Sequence, residues 1–314
     1  MSSGGVNLHI TIGAIQIGSL CSMFLFGIAT VQTHTYYQGF PDDRRYFKAL
    51  VGIMWILELF HTFCVSAEVY RTTIVHYGNP ASLINLPWMA IAIFASATVT
   101  FLTHTFFASR VWIVLPHPWR FIGPVCMFLT FVAYILSLVS AVAGVIEANL
   151  IVYEEKWGWT VYIVLISGVV LDIVLSSSMV FYLWLQRGRV LDRSMRLIDR
   201  VVQYTICTGV LTSVTALGFV ISFGVENGSF IWVAFFTCHA KLYSNSILAT
   251  LNSRMSFRAP GTSVSSRQQS SSHAAHRMGA IESYRGSERR PVKVNVEMTS
   301  SVHREEDVKP VSVP

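Results

Sequence analysis

Of the 314 residues in this chain, 53% are hydrophobic and only 13% are charged. Water-soluble domains carry about a quarter charged residues, so a soluble globule is excluded. The net charge of +6 invites a nucleic-acid reading. However, the basic residues sit between apolar runs and in the C-terminal segment, and no zinc-finger, RNP or basic-zipper pattern occurs, so nucleic acid is not the expected partner.

Seven apolar runs predict membrane-spanning helices over 10–32, 48–70, 86–108, 121–146, 160–185, 202–223 and 229–251. Each is close to the about 20 residues a helix needs to cross a bilayer. Short connections make consecutive helices antiparallel neighbours. The expected fold is therefore all-α, a seven-transmembrane bundle over residues 1–254 with the lipid bilayer as its first partner. No basic residue precedes the first run, which suits an uncleaved signal-anchor better than a cleaved signal peptide.

The connections set an orientation. One side receives Arg44, Arg45, Lys48, Arg110, Arg120, Arg187, Arg189, Arg193, Arg196 and Arg200; the other receives only Arg71 and Lys156. The positive-inside rule then predicts an outside N-terminus and a cytoplasmic C-terminus. All five cysteines (Cys21, Cys64, Cys126, Cys207 and Cys238) fall inside apolar runs. They are expected as small core residues, with no CxxC motif among them. From residue 255 to 314 the composition turns to Ser, Arg, Gln, His and Pro, which predicts a disordered, basic, Ser-rich cytoplasmic tail. The tail and the Arg187–Arg200 loop are candidate docking sites for a cytosolic protein.

Ionisable residues inside the runs are the functional candidates, because a charge at bilayer depth costs several kcal/mol and faces the bundle interior, with a partner. On the second helix Glu58, His61, Thr62, Val65 and Glu68 draw a mostly polar stripe. On the seventh, Lys241, Ser244, Asn245 and Asn252 share one face, and His239, Tyr243 and Ser246 the opposite one. Asp172 lies mid-way along the fifth. The expectation is a buried charge cluster of Glu58, His61, Asp172, Lys241 and Asn245, with Lys241 neutralised by Asp172, Glu58 or both. Such a cluster is a candidate ligand or proton site. On the sixth helix Thr208, Thr212 and Thr215 form a milder polar seam, read as packing.

Catalytic patterns are missing. His61, His104 and His239 invite a zinc reading, but no HExxH or HxxxH pair occurs, and there is no GxSxG elbow or Walker loop. A mid-helix lysine also suggests a retinal Schiff base, yet the third run has no acid to serve as counter-ion. No enzyme activity, cofactor or metal is expected.

Several segments stand out together: Tyr36-Tyr37 to Phe40-Pro41-x-Asp43, Tyr77-Gly78-Asn79-Pro80, Phe107-Ala108-Ser109-Arg110, Asp172, Leu197-Ile198-Asp199-Arg200, and Lys241-Leu242-Tyr243-Ser244-Asn245-Ser246 leading to Asn252-x-Arg254. In this order and spacing they resemble a family of fungal, chiefly basidiomycete, membrane proteins grouped as domain of unknown function 6534. The resemblance implies a seven-helix membrane protein and carries no catalytic residue with it. Glu58 stands where many relatives would have Asp. The layout suits a receptor-like sensor, with a transporter for a small molecule, proton or lipid as the alternative.

Overall fold

A computed structural model describes residues 9–79, 84–147, 149–186, 209–224 and 229–254, all of which belong to one unit, Met1–Thr262. The expected tail, 255–314, and the basic connection Arg187–Arg200 lie outside the described residues. The described residues hold seven α-helices and no strand: α1 (Ala14–Gly39), α2 (Arg45–Tyr70), α3 (Pro87–Val114), α4 (Ile122–Glu147), α5 (Leu150–Gln186), α6 (Gly209–Gly224) and α7 (Ile231–Asn252). Five helical stretches are long and apolar enough to cross a membrane: His9–Gly39, Arg45–Val75, Pro87–Val114, Trp119–Glu147 and Leu150–Tyr182.

The bundle is apolar outside and keeps its mid-helix ionisable side chains inside, within an otherwise apolar core. Ile17, Phe24, Ile56, Phe63, Phe128 and Ile173 are exposed, while Glu58, His61, Glu68, His104, Asp172 and Lys241 are buried. Water would drive the reverse arrangement; hydrocarbon around the bundle rewards this one. α3 packs against α2, α4, α5 and α7, and is the most buried of the five apolar stretches.

The helix α5 begins ten residues before the predicted 160. Its charged start, Glu154, Glu155 and Lys156, breaks the apolar run without breaking the helix. Asn149 caps it, its Oδ1 accepting from the amides of Ile151 at 3.0 Å and Val152 at 3.4 Å, which satisfies otherwise orphaned donors.

Helices α1 and α7 run parallel in a seven-residue ladder. Cys238 Sγ faces the Gly18 carbonyl at 3.8 Å; Asn245 donates to the Leu25 carbonyl at 3.1 Å and Asn252 to that of Gln32 at 2.8 Å. A strict seven-residue interval keeps one seam facing a parallel partner. Gly18 makes the approach possible: a Cβ there would lie 2.5 Å from the Ala234 Cα.

At the far ends of α1, α2 and α7 a clasp closes the bundle. Asp43 Oδ2 accepts from Tyr36 Oη at 2.8 Å and pairs with Arg254 Nη2 at 2.6 Å. The Arg254 guanidinium also stands over the rings of Phe40 and Phe47. Burial raises the Asp43 pKa, but the bonds from Arg254, Tyr36 and the Arg44 amide outweigh it and hold the carboxyl below its ordinary range.

Candidate functional site

The residues expected to form one charge cluster form two, on opposite sides of α7. In the first, Lys241 reaches from α7 to α2. Its Nζ lies 2.5 Å from Glu58 Oε2 and donates to the Glu58 backbone carbonyl at 2.8 Å and to Thr62 Oγ1 at 2.6 Å. The Phe26 ring of α1 covers it at 5.1 Å. Asn245, one turn on, spends its amide on the carbonyls of Lys241 and Leu25. His61 is fully buried beside Phe236, and neither of its ring nitrogens has a hydrogen-bond partner. Glu68, the last residue of the α2 stripe, pairs with Arg71 at 2.8 Å and accepts from the Trp88 amide at 2.9 Å. It therefore serves as a remote cap for the start of α3.

The second cluster centres on Asp172; of the expected alternatives for Lys241 (Asp172, Glu58 or both) the structure has Glu58 as the partner, and the single cluster expected is divided in two. Asp172 Oδ1 lies 3.0 Å from His104 Nε2 on α3. Its Oδ2 accepts from Thr212 Oγ1 of α6 at 2.6 Å and from Tyr243 Oη of α7 at 2.9 Å. One carboxylate on α5 thus ties three other helices. Tyr243 receives the rings of His104 and His239 edge-on, at 5.1 and 4.9 Å. Thr212, read from sequence as packing, proves to be a ligand of this knot. The physical reason for the division is angular. Lys241 and Tyr243 are two residues apart, which on a helix puts them on opposite faces, and each face finds its own acid.

A cavity of about 160 Å³ opens beside the second cluster. Helices α3 to α7 line it, and the lining includes His104, His239 and Tyr243 but no Lys, Arg, Asp or Glu. Aromatic walls come from Phe101, Tyr134, Phe219, Trp232 and Phe236. A smaller cavity of about 20 Å³ also touches Tyr243 and is bounded by Asp172, Thr212 and Ser246; it has room for about one water molecule. Lys241 lines neither cavity, so the open space lies on the face away from the lysine where sequence reasoning looked for a ligand. Thr130, Ser96 and Ser137 also line the larger cavity and were missed. A lone hydroxyl in an apolar helix has no periodic signal to reveal it.

Among the described residues, no three His, Cys, Asp or Glu side chains gather as metal ligands would. His104 and His239 flank Tyr243, while His61 sits against Phe236 near the Glu58–Lys241 pair. Cys21, Cys64, Cys126 and Cys238 are free thiols.

A family model described as Family of unknown function (DUF6534) matches residues 168–256. The matched stretch holds Asp172, Thr212, His239, Lys241 and Tyr243, so it contributes to both clusters and to one wall of the cavity. No curated protein matches the chain.

Proposed function

We propose that this protein is a receptor-like membrane sensor with seven crossings, an outside N-terminus and the cavity beside Tyr243 as its ligand site. The observation that carries this reading is the shared boundary between cavity and knot. A molecule in the cavity touches His104 and Tyr243, the same side chains that Asp172 uses to tie α3, α5, α6 and α7 together. A ligand that displaces either ring alters the packing of four helices at once, which is the kind of two-state element that coupling requires. Asp172 and Thr212 stand on the two helices that flank, in sequence, the segment holding Arg187, Arg189, Arg193, Arg196 and Arg200; in this reading a change in the knot is passed to a cytosolic partner docked on that segment. The parallel α1–α7 ladder supports seven crossings, since only an odd number leaves first and last helices pointing the same way.

The alternative is a transporter of a small molecule, proton or lipid that uses Glu58, His61, Asp172 and Lys241 as one cluster. With Lys241 held by Glu58, and Asp172 held elsewhere, the sensor reading is preferred.

The test is extraction and mass spectrometry of protein purified without added ligand. A small apolar molecule should be recovered from the wild type and lost from Ala97→Phe, which fills the cavity. Binding of cytosolic protein to the wild type should change when that molecule is restored, and should be lost on replacing Arg193 and Arg196 by Ala. An empty wild-type protein, or recovery unchanged by Ala97→Phe, would sink the proposal.

A further inference from the structure

We infer that the smaller cavity, beside Asp172, is a binding site for one dehydrated alkali cation, Na⁺ or K⁺, which fastens α5, α6 and α7 together. The cavity of about 20 Å³ is lined by Asp172, Ser176, Thr212, Tyr243 and Ser246, with Gly209, Phe107 and Leu175 completing the wall. Oxygen-bearing side chains from three helices thus surround a space the size of one water molecule or one small ion. Oxygen is the donor that a hard cation takes.

Charge is the first argument. Asp172 lies mid-way along an apolar span, where an unpaired charge is costly. Its partners His104, Thr212 and Tyr243 bring hydrogen bonds, and none of them is a permanent cation. The buried lysine belongs to Glu58. Among the described residues, no Lys or Arg lines either cavity. With His104 neutral and donating through Nε2, the knot carries one net negative charge, and one positive charge balances it. A divalent cation would leave an excess of the opposite sign at the same depth.

The second argument is the use of protons. Thr212 and Tyr243 both give theirs to Asp172 Oδ2, at 2.6 and 2.9 Å, and Ser246 gives its own to the Leu242 carbonyl at 2.6 Å. A hydroxyl has one proton and two lone pairs. These three groups have only lone pairs left to offer, as has the carboxylate. A water molecule among them could donate twice, but its own oxygen would find no donor in these four side chains. A cation is attracted by all four and disturbs none of the bonds already made. Gly209 keeps the wall in place, since a Cβ on it would run into Ser176 Oγ.

The experiment follows thermal unfolding of the full chain in detergent, in sodium, potassium and choline chloride at equal ionic strength. Na⁺ or K⁺ should raise the midpoint saturably above that in choline, by about 5 °C at about a hundredfold excess over the dissociation constant. Whichever ion acts at the lower concentration is the better occupant. Asp172→Asn should abolish the shift. Ser246→Ala leaves Asp172 and its three donors in place, and should raise the concentration needed about tenfold; it decides the matter if Asp172→Asn does not fold. Equal wild-type midpoints in all three salts would overturn the cation and leave the balancing charge to a proton on His104. A shift retained in full by both variants would place the ion elsewhere and overturn the site. Stabilisation by Ca²⁺ or Mg²⁺ at lower concentration than by either alkali ion would overturn the single charge.

Discussion

Lys241 Nζ lies 2.5 Å from Glu58 Oε2, and neither side chain is more than 1% exposed. Removing one partner leaves the other as an uncompensated buried charge, which typically costs about 3–5 kcal/mol. Lys241→Met should therefore destabilise the protein by about that amount. The double variant Glu58→Leu, Lys241→Met should recover most of it, since apolar replacement of a buried pair is often neutral. Thermal unfolding of both variants in detergent checks this, and an unaltered midpoint for Lys241→Met would show the pair to be dispensable.

Asp172 receives three side chains from three other helices, whereas an asparagine in its place would offer one acceptor oxygen and an unwanted donor. Hydrogen bonds to a charged group contribute about 1.5–3 kcal/mol each, so Asp172→Asn should lower stability by at least one such increment. Tyr243→Phe should cost less. The two changes share one bond, so a double-mutant cycle should show them less than additive, by about 0.5–3 kcal/mol.

The Asp43–Arg254 clasp predicts a pH dependence. The folded carboxyl has a lower pKa than the unfolded one, so the folded state binds fewer protons. Its contribution is present in full above the unfolded pKa and is lost as pH falls through the folded value. Thermal midpoints followed from neutrality to below about pH 4 should decline at the acid end. In Asp43→Asn that part of the decline should be smaller, and the midpoint at neutral pH lower than in the wild type.

Gly18 and Gly27 both lie on α1 and make a matched comparison. A Cβ at Gly18 meets the Ala234 backbone at 2.5 Å and Thr237 Oγ1 at 2.9 Å; one at Gly27 meets nothing within 4 Å. Gly18→Ala should force α1 from α7 and destabilise by about 1–3 kcal/mol. Gly27→Ala should be neutral or slightly stabilising, by the about 0.5–1 kcal/mol helix preference of Ala. Equal effects from the two would mean that the ladder does not depend on close approach.

The helices themselves were legible because the bilayer imposes a length and a polarity that apolar runs display directly. Where the reading slipped, charge was the reason. Glu154, Glu155 and Lys156 ended the predicted span, although the backbone stays helical through them and needs only the Asn149 cap. Glu58 and Lys241 stood out as residues that needed partners, and the opposed faces of α7 were visible from residue spacing. Which acid meets which base was not visible, since it depends on how α2 and α5 are disposed around α7.

By itself, then, the sequence determined an all-helical chain with apolar spans, and named the side chains too polar to face lipid. Tertiary structure alone decided that Asp172 goes to His104, Thr212 and Tyr243 rather than to Lys241. It alone decided that a cavity of about 160 Å³ lies beside that knot. Polarity is a property of each residue and can be read along the chain. Pairing and empty space belong to the gaps between helices, and those exist only once the helices have packed.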